Sequence, residues 1–301
     1  MPGVGAPVVR SALALVALVA LAAPAAGAPA IAVEDDIGQR VELPAPARRI
    51  VSLAPHATEM LFAVDAGDRI VGAAAYSDYP PAARTIPRVG GSAGVDLERI
   101  VALRPDLIVA WASGTPARAV ARLRDLGFPV YTSEPRRLEH IARSLERLGR
   151  LVGKGAHARA RAEAWHDRVR ELRARFAGRP AVRVFYQILD PQLITVNGEH
   201  LISEVLELCG AQNVFADLPA LAPPVTLEAV LHRNPDAILA GGTAAQWRVW
   251  EARWREQEAL RAVRRDALFF VPADLLHRLG PRVLEGAERV CRALEQARRR
   301  R

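Results

Sequence analysis

Residues Val95–Ala110 read VDLERIVALRPDLIVA, and residues Val225–Ala240 read VTLEAVLHRNPDAILA. The two stretches align without a gap, 130 positions apart, and seven of their sixteen positions are identical. In each copy Asp96 or Thr226 can cap a helix, its side-chain oxygen accepting from an early backbone N–H. Glu98 or Glu228 follows in the first turn, where the helix dipole favours a carboxylate. Pro105-Asp106 and Pro235-Asp236 stop the helices, and the apolar runs LIVA and AILA that come next read as buried strands. A unit repeated only once, at a spacing longer than the roughly 20–50 residues of solenoids, predicts two similar α/β lobes. Two lobes imply a cleft between them, with one exposed glutamate at an equivalent place on each.

The chain has 301 residues, room for about two domains, and is half apolar and a quarter charged, as a globular protein is. A net charge of +8 raises the question of nucleic acid. The cations, however, are nearly all arginine spread along glutamate-rich helices, densest at Arg298–Arg301. Zinc-finger spacing, RNA-binding aromatic motifs and glycine-rich basic tracts are absent from the sequence, so no nucleic-acid role is expected. At the N-terminus Arg10 precedes an apolar, alanine-rich run broken by Pro24, with A-x-A sites around Ala25, Ala28 and Ala30. That layout is a cleavable export signal, and the run is a poor membrane span. No cysteine follows it, which argues against a lipid-attached form. The mature protein is expected to begin near residue 29 or 31 and to be soluble outside the cytoplasm.

From Arg49 the pattern is strand, turn, helix, strand: RIVSLAP, HATEMLFAVDAG, RIVGAAA. A loop at Trp111–Thr115, a short helix at Pro116–Leu126 and a strand at FPVYTSE continue the alternation, which implies parallel sheets with helical crossovers. From Leu138 to Phe176 the reading is helical, broken near Gly153–Gly155, and its second part has no neighbouring strand, as a connector would. VRVFYQIL then opens a second α/β run. Trp247, Trp250 and Trp254, at helical spacing, read as a packed helix face. The fold class is therefore α/β: two Rossmann-like lobes with parallel sheets, joined by one long α-helix, with a ligand cleft between them. The expected divisions are a signal over 1–30, a first lobe over 48–150, a connecting helix over 151–178 and a second lobe over 179–297. One rigid helix allows small rotations only, so the cleft should be largely pre-formed and suit a bulky, rigid ligand. The two cysteines, Cys209 and Cys291, favour one disulfide in an exported chain, with two buried free thiols as the alternative.

At YSDYPP (Tyr76–Pro81), DLERIVALRPDLIVAW (Asp96–Trp111) and LELCGAQNVF (Leu206–Phe215) the sequence closely resembles the cobalamin receptors of the iron-complex and cobalamin family of periplasmic binding proteins. The resemblance runs in order over roughly residues 48–296. It implies a receptor, not an enzyme, without intrinsic cofactor, which acts as a monomer and delivers cobalamin to an inner-membrane ABC importer. It also implies roles, position by position. Tyr76 and Trp111 match cleft aromatics that contact the corrin, and Asp274 and Arg278 match the ends of a second-lobe loop that touches the ligand. Glu98 and Glu228 match surface glutamates that dock on arginine pockets of the transmembrane subunits. Cys209 and Cys291 match the family disulfide.

This chain departs from that pattern in its aromatic wall. Ala93 stands where the cobalamin receptors have a tryptophan, and Ile194 and Ala222 stand where they have second-lobe aromatics. His56 replaces a small residue at the mouth of the cleft and joins the candidate ligand contacts. Haem or a ferric siderophore, bound by other members of the family, is the alternative ligand. Haem would need an axial ligand, for which Tyr76, His56 and His277 are available. No two of the seven histidines form a local metal pattern. A secreted hydrolase built on His56 with Glu59, or on His200, is the rival from another class. The sequence has no phosphate-binding loop or dinucleotide motif to support it.

Overall fold

The computed structural model describes Met1, Gly3, residues 30–91 and residues 94–300. The export signal expected over residues 1–30 falls outside the described residues but for Met1, Gly3 and Ala30, and Ala93 also lies outside them. A hairpin of β1 (Ile31–Glu34) and β2 (Arg40–Leu43) comes first. Next are β3 (Ile50–Ser52), α1 (Pro55–Ala63), β4 (Ile70–Ala73) and a short antiparallel pair, β5 (Gly90–Gly91) and β6 (Gly94–Val95). Helix α2 (Leu97–Ala102), β7 (Leu107–Trp111), α3 (Ala117–Asp125), β8 (Val130–Ser133) and α4 (Leu138–Leu151) complete the first lobe. Helix α5 (Gly155–Phe176) leads to the second, which holds β9 (Val182–Gln187), α6 (Leu201–Leu208), β10 (Ala211–Asn213), α7 (Leu227–Arg233) and β11 (Ala237–Gly242). Helices α8 (Ala244–Arg255) and α9 (Arg261–Arg264), strand β12 (Leu268–Pro272), α10 (Ala273–Leu276) and α11 (Val283–Arg299) follow. The two main sheets are parallel throughout and share one topology, β4-β3-β7-β8 and β10-β9-β11-β12.

The repeated unit is the heart of each sheet. Along β7, Leu107 and Val109 point into one core while Ile108 and Ala110 point into another; along β11, Ala237 and Leu239 alternate with Ile238 and Ala240 in the same way. Successive residues of a strand face opposite sides, so a strand covered on both faces must be apolar at every position, as LIVA and AILA are. One face of each sheet shares a single core that runs through α4, α5 and α11. The other faces have separate layers, Val120 and Leu123 covering the first and Trp250 and Trp254 the second. The tryptophan stripe is thus a packed helix face, with Trp247 stacked on Phe270 at 6.2 Å.

The caps read in the sequence are present: Asp96 Oδ1 accepts from the Arg99 N–H at 2.9 Å, and Thr226 Oγ1 from the Ala229 N–H at 3.2 Å. The Pro-Asp aspartates do more than stop helices. Asp106 accepts from the N–H groups of Arg48 and Arg49 at 2.8 and 2.9 Å, and Asp236 accepts from the Arg183 N–H at 3.2 Å, so each anchors the start of the neighbouring central strand. The arginine there reciprocates. Arg49 donates to the carbonyls of Leu103 and Arg104, and Arg183 to those of Arg233 and Asn234, covering the last carbonyls of α2 and α7.

Helix α5 is fastened to both lobes. Trp165 Nε1 donates to the Leu138 carbonyl at 2.9 Å. Glu204 of the second lobe, itself buried, accepts from the Leu138 N–H at 2.7 Å and from Arg173 of α5 at 3.0 Å. Cys209 and Cys291 form a disulfide that ties the end of α6 to α11, with Cα atoms 4.8 Å apart. Closing a loop of 82 residues stabilises by about 4 kcal/mol on the chain-entropy account.

Candidate functional site

In open parallel sheets ligands bind outside the carboxyl ends of the strands, where the loops gather. Here the carboxyl-end loops of the two sheets meet. Arg282, at the start of α11, forks onto Glu59 of α1 with contacts of 2.6 and 3.0 Å. Its guanidinium also lies 3.9 Å over the ring of Tyr79, in the loop after β4. Arg278 Nη1 donates to Asp78 in that same loop at 2.5 Å and lies 3.7 Å from Glu59. Asp274, one helical turn before Arg278, pairs with it from the second lobe at 2.9 Å. Burial pushes the Glu59 carboxyl above its ordinary value, with Arg282 and Arg278 pulling against it, and the hydrogen bond from Arg278 holds Asp78 below its own.

The candidate wall residues of the first lobe stand on this edge. Tyr76, after β4, is 72 % exposed, and its backbone is left-handed at φ +64°. A β-substituted residue pays for that conformation, and such strain collects where a side chain is held out for use. Trp111 ends β7. Its ring lies on Gly114, where any Cβ would fall 1.8 Å from the indole, so only glycine lets the Trp111–Thr115 turn fold beneath it. The turn is closed by Trp111 N–H to Thr115 Oγ1 and Thr115 N–H to the Trp111 carbonyl. His56 packs edge-on to Trp111, with ring centroids 5.5 Å apart, and its Nε2 lies 3.2 Å from Ser133 Oγ. Burial drops the His56 pKa to about 4, so the ring is neutral at physiological pH.

The second-lobe wall is different in kind. Ile194 bridges Leu189 and Pro224 in a short irregular ladder, and Ala222 is exposed. Behind Asp274 and Arg278, His277 lies over the ends of β9 and β11. Its Nε2 is 3.1 Å from the Tyr186 hydroxyl, and a Cβ at Gly241 would strike it at 2.2 Å. His200 caps α6, its Nδ1 accepting from the Ile202 N–H at 3.1 Å. Burial drops both rings to about 4, with His277 adding to the depression of His200.

Glu98 and Glu228 are exposed in the first turns of α2 and α7. Each helix turns through a few residues into β7 or β11, so it runs opposite to the strand and begins toward the carboxyl edge of its sheet. Both glutamates therefore stand toward the edge that carries the cleft loops. Local backbone and Thr226 hydrogen bonds hold the Glu228 carboxyl below its ordinary value.

The structure thus gathers His56, Tyr76, Trp111, Asp274 and Arg278 on one edge, but it occupies Arg278 with three carboxylates. Glu59, Asp78 and Arg282 were not among the expected ligand-loop residues, although YSDYPP contains Asp78 and the segment DLLHRLGPR ends on Arg282. Glu59 is turned to Arg282, and His56 to Ser133. Among the described residues no cluster of three or more histidine, cysteine or acidic side chains could hold a metal. A cavity of about 410 Å³ beside Leu227 is lined by second-lobe residues alone, including Trp250 and Trp254, and is not the space between the lobes.

A family model described as periplasmic binding protein matches residues 50–273. A vitamin B12-binding protein of Vibrio cholerae serotype O1 is 39 % identical over 258 residues, 84 % of this chain and 91 % of that protein. The crystal structure of the periplasmic vitamin B12-binding protein of Vibrio cholerae superposes with a TM-score of 0.76, covering 84 % of this chain and 98 % of the other. A periplasmic haem-binding protein of Pseudomonas aeruginosa, 26 % identical, matches with a TM-score of 0.70 over 82 % of this chain and 92 % of its own.

Proposed function

The chain belongs to the periplasmic binding protein family, and from that premise we propose that it captures cobalamin between its lobes and hands it to an inner-membrane ABC importer. The observation that carries this reading is the 39 % identity to a vitamin B12-binding protein over nearly the whole folded chain. The site supports it. A corrin needs apolar and aromatic surface for its flat ring and polar groups for its amide rim. Tyr76 and Trp111 supply the surface, and Asp274, beside Arg278, supplies an exposed acceptor. His56, packed on Trp111, sets the depth of the first-lobe wall. Glu98 and Glu228 are the docking points: two exposed carboxylates, one per lobe, that fix orientation through charge-assisted bonds to importer arginines. The expected export signal and the periplasmic binding protein family match support the periplasm as the place of this work.

Haem is the second reading, favoured by the loss of second-lobe aromatics at Ile194 and Ala222. Two of its candidate axial ligands are engaged, His56 with Ser133 and His277 with Tyr186, and Tyr76 is the exposed one. Calorimetric titration of the mature protein with cyanocobalamin, with hemin in parallel, tests the assignment. One-to-one cobalamin binding in the micromolar range or tighter supports it. Hemin uptake with a Soret shift and no cobalamin heat would reassign the cleft to haem.

A further inference from the structure

The ion cluster that joins the lobes has an inside and an outside. Its guanidiniums are turned inward: the side chains of Arg278 and Arg282 are 12 % and 13 % exposed. Two of its carboxylates are turned outward, Asp78 at 44 % and Asp274 at 53 %. Arg282 bonds the two oxygens of Glu59 through Nε and Nη2 and covers the face of Tyr79. Arg278 is shared among Asp78, Asp274 and Glu59. Arg84, on the same loop as Asp78, is turned to the Asp78 carbonyl at 3.3 Å. A ligand approaching this part of the cleft therefore meets the acceptor oxygens of Asp78 and Asp274 ahead of the less exposed guanidiniums of Arg278 and Arg282.

Resting on the corrinoid reading, we infer that this carboxylate face selects ligands whose rim donates hydrogen bonds and rejects those whose rim carries carboxylates, and that Asp78 is its specificity-determining residue. A primary amide presents N–H donors to Asp78 and Asp274 without disturbing the cluster. A propionate would face two like charges, and could reach Arg278 only by displacing one of them. Like charges at hydrogen-bond distance are costly in a partly desolvated cleft, whereas the exchange of an exposed acceptor for an amide donor is not. Asp78 is the controlling partner because it comes from the opposite lobe and is half exposed. Neutralising it leaves Arg278 anchored by Asp274 and Glu59 and takes away the negative charge that a ligand carboxylate would meet first.

The test compares wild type with Asp78→Asn, using cyanocobalamin, hemin and the dimethyl ester of hemin as probes. In Asp78→Asn the dissociation constant for hemin should fall at least tenfold, and that gain should shrink at high salt. Its ester, which lacks the charged carboxylates, should change less than threefold, and cyanocobalamin should weaken two- to fivefold as one acceptor is lost. Asp78→Ser repeats the test with a shorter side chain, and thermal midpoints establish that each variant is folded. Hemin affinity unchanged by both substitutions, or an equal gain for the ester, would overturn the inference. So would wild type that binds hemin as tightly as the variants do. Wild type that rejects both cobalamin and hemin, alongside variants that gain hemin alone, would remove the corrinoid reading and leave the charge selection standing.

Discussion

The two lobes are built on one plan and finished for different tasks. Their sheets have the same strand order, and their central units share helix cap, Pro-Asp anchor and reciprocal arginine. Even the backbone repeats: Arg104 and Asn234, 130 positions apart, both take left-handed conformations at φ +45° and +41°. The carboxyl edges do not repeat. The first lobe carries Tyr76 and Trp111 beside the carboxylates of Glu59 and Asp78, while the second carries Arg278 and Arg282 with Asp274. Duplicated framework residues thus answer to packing and helix ends, whereas the unduplicated loop residues pair across the lobes.

The likeness is most exposed to test at the glutamates. If Glu98 and Glu228 are equivalent docking points, Glu98→Arg with Glu228→Arg should lower importer-stimulated transport at least 100-fold with cobalamin affinity unchanged. Each single change should cost roughly the square root of that, because charge-assisted bonds of about 1.5–3 kcal/mol at separate sites add. Transport assays in reconstituted vesicles measure it, and survival of the double variant would break the equivalence.

A smaller effect separates the two aspartates. Asp236 is buried and faces Arg261 and Arg265 at 3.3 Å as well as the Arg183 N–H; Asp106 is partly exposed and serves backbone N–H groups. Asp236→Ala should cost about 3 kcal/mol in denaturant unfolding and Asp106→Ala about 1–2, since a buried partner removed leaves charge unmatched. Equal losses would show the anchors to be energetically alike despite their surroundings.

Acid should bear more heavily on the second lobe. His200 and His277 are there and His56 is in the first, all with pKa values near 4 in the folded chain against about 6.5 unfolded. Below pH 6.5 the unfolded chain takes up protons that the folded rings refuse. Their stability is therefore full above that pH and is lost as pH falls toward 4, by at most about 1.4 kcal/mol per histidine per pH unit. His200→Gln with His277→Gln should flatten the acid limb of the unfolding curve more than His56→Gln does. The smallest effect belongs to the left-handed pair. Asparagine suits that region and arginine does not, so Arg104→Asn should stabilise by about 0.5–1 kcal/mol, read from denaturant midpoints.

Much of the framework was legible because its signals are local. A capping aspartate, a Pro-Asp stop and a four-residue apolar run each act within a turn or two of chain, and the repeat doubled the evidence for them. The cleft was legible only in part. Tyr76 and Trp111 could be named from the motifs that hold them, but nothing near Arg278 in sequence announces that Asp78, 200 positions away, would take one of its N–H groups. The reciprocal Arg49 and Arg183 are illegible in sequence for the same reason, since each serves a helix end some fifty residues on. Long-range pairs of charge depend on how lobes meet, and that is decided by α5 and its fastening at Trp165 and Glu204.

Capture between the lobes requires that one ligand be held by both unlike walls at once. Amide hydrogen exchange of the mature protein, with and without saturating cyanocobalamin, tests it most directly. Protection should appear together in the loops at Tyr76–Pro81 and Trp111–Thr115 of the first lobe and at Ala273–Gly280 of the second. Protection confined to a single lobe, or found only around the cavity beside Leu227, would contradict it.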